Sequence, residues 1–168
     1  MRIIHKIILV LLIGTIGCKG KNAPSEDLAN TTDNQTGKIQ LTEINGRSFN
    51  LEQYRGKTIF INFWATWCRP CLAEMPSIQR MMKKLEREDI VFFFASNEPP
   101  GQIAEFKNRY PFPFHFVRVE NFEELEIMAL PTTIILNPSG GIVFREQGFR
   151  EWDNADNLEL LLKIAKSV

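Results

Sequence analysis

Histidine and cysteine are scarce in this 168-residue chain, which holds two of the first and three of the second. His5 lies in an amino-terminal leader-like segment, so the body of the chain keeps only His115. A triad hydrolase or a multi-histidine metal enzyme needs more. Cys68 and Cys71 have no second cysteine pair, so a four-ligand structural zinc is not expected. No stretch interleaves basic residues with aromatics, and the 13 phenylalanines fall mostly inside apolar runs. Nucleic acid is therefore not an expected partner. The run from Ile7 to Ile16 is too short to span a bilayer, which takes roughly 20 apolar residues. There is no internal repeat.

What remains is 44% hydrophobic and 24% charged, the make-up of one soluble domain with a real core. Arg2, His5 and Lys6 ahead of the short apolar run read as an export signal over residues 1–17. Thr15-Ile16-Gly17-Cys18 then resembles the lipobox of bacterial lipoproteins, although Thr15 stands where an aliphatic residue is usual. Cys18 is thus the expected lipidation site, and acyl chains there would hold the protein on a membrane. Removing residues 1–17 takes away Arg2 and Lys6, which leaves 18 basic against 20 acidic residues and a net charge of about −2. Residues 18–37, poor in large apolar side chains, read as a flexible tether, and residues 38–168 as the folded domain.

Within that domain, alternating apolar residues flank Asn45-Gly46, which predicts a hairpin with a type I′ turn. TIFINFW (58–64) and IVFFFAS (90–96) read as strands buried on both faces. Leu72, Met75, Ile78, Met82 and Leu85 recur at helical spacing between them. NEPPG (97–101) reads as a breaker loop, Gln102 to Arg109 as a short helix, and Phe114 to Val117 as part of a further strand. Asn121 is placed to cap a short helix FEELEIM. TTIIL (132–136) and IVFREQ (142–147) form a second hairpin, followed by a terminal helix within residues 151–168. Strands alternating with helices imply an α/β domain with a mixed sheet.

The stretch FWATWCRPCLAEMP (63–76) carries the chemistry. Cysteines three apart on a first helical turn lie on one face, close enough for a disulfide. So short a loop removes little unfolded-state entropy, which makes stability a poor reason to keep it. At the N-cap side of a helix, Cys68 would feel unpaired N–H groups and the macrodipole, both of which favour a thiolate. Arg69 adds a positive charge, Pro70 suits the first turn, and Cys71 stands one turn inside to resolve a mixed disulfide. Trp64 and Trp67 could shield the pair. Copper held by Cys68, Cys71 and His115 is the competing use of the same residues. A peroxidase would need a different setting of threonine and proline ahead of a single reactive cysteine.

NFWATWCRPC, Pro76 and Leu130-Pro131-Thr132 together resemble the thioredoxin fold, specifically the TlpA/ResA-like membrane-anchored thiol-disulfide oxidoreductases. The resemblance covers about Ile39 to Val168, and residues 98–119 look like the helix and strand that this family inserts. It implies a mixed central sheet flanked by helices, with an amino-terminal β-hairpin. It further implies that Cys68 is the exposed nucleophile, Cys71 the buried resolving thiol, and Pro131 a cis-proline opposite them that lets the backbone at Leu130 pair with substrate. Glu74 matches an acidic residue that tunes the thiols; otherwise it would be an ordinary surface glutamate. Three departures stand out. Asn62 replaces the buried aspartate of thioredoxin, the dipeptide between the cysteines is Arg-Pro, and the segment before Pro131 is short.

The expected function is a lipid-anchored reductant of disulfides in exported proteins, cytochrome c maturation among the settings. The resemblance implies recharging by a membrane electron donor of the DsbD/CcdA kind. No cofactor or metal is expected beyond the Cys68–Cys71 couple itself. The alternatives are a disulfide oxidant or isomerase, favoured by Arg69, and a copper-delivery module.

Overall fold

The computed structural model describes residues 34–167. The signal segment, Cys18 and most of the expected tether lie outside them.

One seven-stranded sheet organises the chain: β1 (Leu41–Glu43), β2 (Ser48–Phe49), β3 (Thr58–Phe63), β4 (Ile90–Ser96), β5 (Phe116–Val119), β6 (Thr132–Leu136) and β7 (Ile142–Gln147). The order across it is β2-β1-β5-β4-β3-β6-β7. β3, β4 and β5 run parallel, and β1, β2, β6 and β7 add antiparallel strands at the two sides. The mixed sheet expected from the pattern is therefore present, with α2 (Pro100–Arg109) and β5 making up the insert. α1 (Arg69–Lys84) and α3 (Ala155–Ala165) complete the helices.

Strand alternation divides the apolar residues between two faces. Phe60, Phe92, Phe94, Phe116 and Ile135 meet Met75, Ile78 and Met81 of α1, Ile103 and Phe106 of α2, and Leu161 and Ile164 of α3. All three helices thus pack on one face. Ile59, Ile61, Phe63, Phe93, Ala95, Val117 and Ile134 point the other way, against Leu51, Leu125 and Ile39 from short turns. Trp152 closes the helical face, buried to 1% and set edge-on to Phe60 at 4.9 Å.

Four local expectations change. The first hairpin does not use a type I′ turn, because Asn45 keeps a negative φ and only Gly46 reaches +85°. Gly46 N–H donates to Glu43 O and Arg47 N–H to Asn45 Oδ1, which builds a longer connection from 44 to 47. Pro100 and Gly101 belong to α2, with Pro100 at the first helical position where its missing N–H is no loss. FEELEIM forms only a 3₁₀ turn, Phe122–Leu125, and the Asn121 side chain does not cap it. Asn121 instead accepts from Gln40 N–H and donates to Lys38 O, tying that turn to the start of β1. Finally, the last residues of the expected tether are packed. Thr36 is buried, and Gln35 N–H donates to Gly140 O.

Trp152→Ala removes the ring that seals the helical face and should cost about 3–5 kcal/mol, read as a lower urea midpoint. A loss under about 1 kcal/mol would show that this face is not packed as one unit.

Candidate active site

β3 ends at Phe63, and the five-residue connection 64–68 delivers Cys68 to the N-cap of α1. The Cys68 and Cys71 Cα atoms are 5.3 Å apart and their sulfurs are bonded at 1.99 Å. Cys71 N–H points at Cys68 Sγ from 3.3 Å, so the sulfur occupies the capping position where a helix favours negative charge. No acidic side chain lies in the first turn.

In this disulfide form Cys68 is not exposed: it is 3% accessible, and Cys71 is at 0%. The exposed residues around them are Trp67, at 72%, with Arg69 and Pro70. Trp64 is no shield at the rim, because it lies wholly in the core, 4.5 Å from Phe106 and 5.2 Å from Phe116. Arg69 faces water, where solvent and salt screen its charge.

Glu74 is a buried residue and not a surface one. It is 1% exposed and lies three positions beyond Cys71, on the same face of α1. Asn62 shares the strand parity of Phe60, so its side chain also meets α1, and its Nδ2 donates to Glu74 Oε1 at 2.7 Å. The same Nδ2 lies 3.1 Å from Thr133 Oγ1 on the paired strand β6. Arg150 N–H donates to Glu74 Oε2 at 3.2 Å. Burial pushes the Glu74 carboxyl up to about 7, against the pull of those two hydrogen bonds toward the charged form.

The Leu130–Pro131 bond is cis. β6 starts at Thr132, opposite Phe63 of β3, so Pro131 and the 64–68 connection leave the sheet at the same end. Pro131 O accepts from Gly148 N–H at 2.7 Å, and two residues later Arg150 meets Glu74. A continuous strap therefore joins Pro131 to α1. Leu130 is half-buried and touches apolar residues of both faces.

His115 is not brought to the cysteines. It stacks on Phe49 and lies tilted against Phe93 on the opposite face of the sheet, and its Nε2 lies 3.0 Å from Glu43 Oε2. Among the described residues no three His, Cys, Asp or Glu side chains are grouped to hold a metal. The geometry that a three-ligand copper site would need is absent from this pair of residues and His115.

A family model described as the AhpC/TSA family matches residues 32–145. The chain belongs to the AhpC/TSA family. Among the family's curated relatives, the thiol-disulfide oxidoreductase ResA of Geobacillus thermodenitrificans is 28% identical over 145 residues, 83% of each chain. A solved thiol-disulfide oxidoreductase candidate from Bacteroides vulgatus superposes with a TM-score of 0.65 at 24% identity, over 74% of this chain and 90% of its own. The exposed lipoprotein thioredoxin Etrx1 of Streptococcus pneumoniae gives 0.55 at 24% identity, over 77% and 98%. These likenesses establish a thioredoxin-like fold and place the chain among the ResA-like members of the AhpC/TSA family. It is a thiol-disulfide oxidoreductase.

Two polar residues at this site escaped the sequence pattern. Arg150 contributes a backbone N–H, which no composition signals. Its guanidinium lies 5.4 Å from the Trp152 ring, and its Nε donates to Asn157 Oδ1 at 2.8 Å, fixing the strap against α3. Glu98, from the loop before α2, is the other. The burial of Glu74 was legible in one respect, since Cys71, Glu74, Ile78, Met81 and Leu85 recur at threes and fours.

A carboxyl that is raised in the folded state holds its proton there longer than in the unfolded chain. Its contribution to stability is complete below about 4.5 and is lost as pH rises through about 7. Glu74→Gln should remove that loss: relative to wild type the oxidised variant gains on the order of 2 kcal/mol between pH 5 and pH 8. Urea midpoints at the two pH values measure it. A wild-type–variant difference that stays constant with pH would place the titration elsewhere.

Proposed function

We propose that the enzyme is an envelope lipoprotein that reduces disulfides in exported proteins. Residues 1–17 form the signal, Cys18 carries the lipid, and a tether ending near residue 34 holds the domain above the membrane. The sequence Thr15-Ile16-Gly17-Cys18 supports the anchor, as does the likeness to a pneumococcal exposed lipoprotein thioredoxin.

In the forward step the Cys68 thiolate attacks one sulfur of the substrate disulfide, and the other substrate sulfur leaves as a thiolate. The Cys71 thiolate then attacks Cys68 Sγ, closing the Cys68–Cys71 bond and releasing the second substrate sulfur. Two electrons and two protons pass from the enzyme dithiol to the substrate. Recharging requires a two-electron donor, which we assign to a membrane carrier of the DsbD/CcdA kind, because free thiols do not persist unaided in an oxidising compartment.

One observation carries the reductive direction. The buried charge-capable neighbour of Cys71 is an acid, Glu74 at 1% exposure, while Arg69, the group that would favour an oxidant, faces water. The burial that raises Glu74 also disfavours a thiolate at Cys71, and Glu74 repels one wherever it is ionised, whereas the charge of solvated Arg69 is screened. Less stable thiolates make the disulfide form easier to keep and the dithiol a better electron donor.

Equilibration of the purified protein with glutathione or dithiothreitol should give a potential near the thioredoxin level of about −270 mV; a value near about −120 mV would make it an oxidant. Cys71→Ser should accumulate mixed disulfides with exported proteins, and Cys68→Ser none. In cells, Cys18→Ser should move the protein from the membrane to the soluble fraction. A variant that stays membrane-bound would remove the lipid anchor from this reading.

A further inference from the structure

Glu98 is a buried carboxyl that the disulfide exchange just described does not use. It is 8% exposed and sits in the connection between β4 and α2. Pro99 follows it and Pro100 opens α2, so Glu98 is confined to extended backbone ahead of a rigid pair. Both of its oxygens are engaged. Oε1 accepts from Thr66 Oγ1 at 2.6 Å, and Oε2 from Thr66 N–H at 2.7 Å and Ser96 Oγ at 3.1 Å. Glu98 N–H in turn donates to Ser96 Oγ at 3.2 Å. Among the described residues it forms no ion pair. A carboxylate buried on three hydrogen bonds alone is expensive to place, which argues that the placement serves something.

The bonds converge on one residue, Thr66, in the middle of the connection that carries the nucleophile. Trp64 and Ala65 are packed in the core at one end of that connection, and Cys68 is tied to Cys71 at the other. Trp64 N–H donates to Ala95 O at its start and Cys68 N–H to Ala65 O at its end. Between them, among the described residues, Thr66 is held by hydrogen bonds to the Glu98 side chain. Thr66, Trp67 and Glu98 also share the wall of a groove of about 540 Å³ that runs to Phe106 and Tyr110 of the insert.

We propose that Glu98 is a positioning residue for disulfide exchange: through Thr66 it fixes the connection that presents Trp67 and holds Cys68 at the N-cap of α1. Cys68 gains from the helix terminus only while its sulfur stays in line with Cys71 N–H, and that stabilisation fades within a single turn. A slack connection lets the sulfur drift off the cap. The thiolate then loses stabilisation, reacts more slowly, and the couple shifts toward disulfide. The inference rests on Cys68 being the nucleophile.

Thr66→Val keeps the shape of the side chain and removes the hydroxyl; Thr66→Ser keeps the hydroxyl. The purified full-length proteins are reduced, alkylated with limiting iodoacetamide at pH 7, mapped by peptide, and equilibrated with glutathione. Thr66→Val should slow Cys68 alkylation and move the glutathione equilibrium toward disulfide by about fivefold each, the scale of one hydrogen bond. Thr66→Ser should stay within about twofold of wild type on that scale. Glu98→Gln, which loses one acceptor, should change both in the direction of Thr66→Val and serves if the valine variant does not fold. A folded variant with a lower melting temperature but wild-type alkylation and equilibrium would make the contact a mere brace and overturn the proposal. If wild-type Cys71 is alkylated before Cys68, the nucleophile assignment itself fails, and the inference with it.

Discussion

The burial of one carboxyl, that of Glu74, is the constraint around which the site is built. α1 can lie flat on the sheet only if the acid on its inner face is met by hydrogen-bond donors, since an unpaired buried polar group costs a few kcal/mol. Asn62 supplies one donor from near the end of β3, and the strap after β7 supplies the other through Arg150 N–H. The same strap is held to Pro131 at its near end, and at its far end Trp152 N–H donates to Ser77 Oγ of α1. Helix, central strand and strap are thus joined at one acid. Pro131, bonded to the strap through Gly148, is located by the same contacts.

Placing an acid there also sets the local electrostatics. The end of α1 offers Cys68 a positive helix terminus, while the inner face of the first two turns offers Cys71 a carboxyl that burial has raised to about 7. The two sulfurs of one disulfide therefore meet opposite environments. The outer one sits at the helix N-cap, facing Cys71 N–H, a position that favours negative charge. The inner one is fully buried, in surroundings that disfavour charge. Arg69 adds little to either sulfur, because its charge is spent on water.

Sequence periodicity revealed the sheet and helices because the apolar residues do most of the work there. β3 and β4 are buried runs, and α1 and α3 show helical spacing. It failed where polar side chains choose between local and distant partners. Asn45-Gly46 favours a two-residue turn on its own, yet Asn45 bonds Arg47 N–H and the turn lengthens. Asn121 is a good helix cap by type, yet its amide is drawn to Lys38 and Gln40, some 80 residues away in sequence. The cysteine pair on a first helical turn and Trp67 beside it were legible in the spacing, and the positions of Pro131 and Glu74 through the resemblance. That Cys68 is covered in the oxidised state was not, because accessibility depends on the assembled connection around it. Glu98 left no local trace, since its partner Thr66 lies 32 residues earlier.

The location of the site follows from strand direction. β3 and β4 are parallel, so both release their chains at the same end of the sheet, after Phe63 and after Ser96. In open sheets of this kind the crevice outside the carboxyl ends of the strands is where chemistry gathers. Three segments converge there: the 64–68 connection, the Glu98 arm, and the turn into β6 at Pro131. None of them has regular structure to hold it, so each is fixed by polar contacts to a neighbour, Thr66 to Glu98 and Pro131 to Gly148. The insert of α2 and β5 also serves this end, because Glu98 stands at its root. The insert therefore meets the 64–68 connection at two points, through Glu98 on Thr66 and through Phe106 and Phe116 on the Trp64 ring.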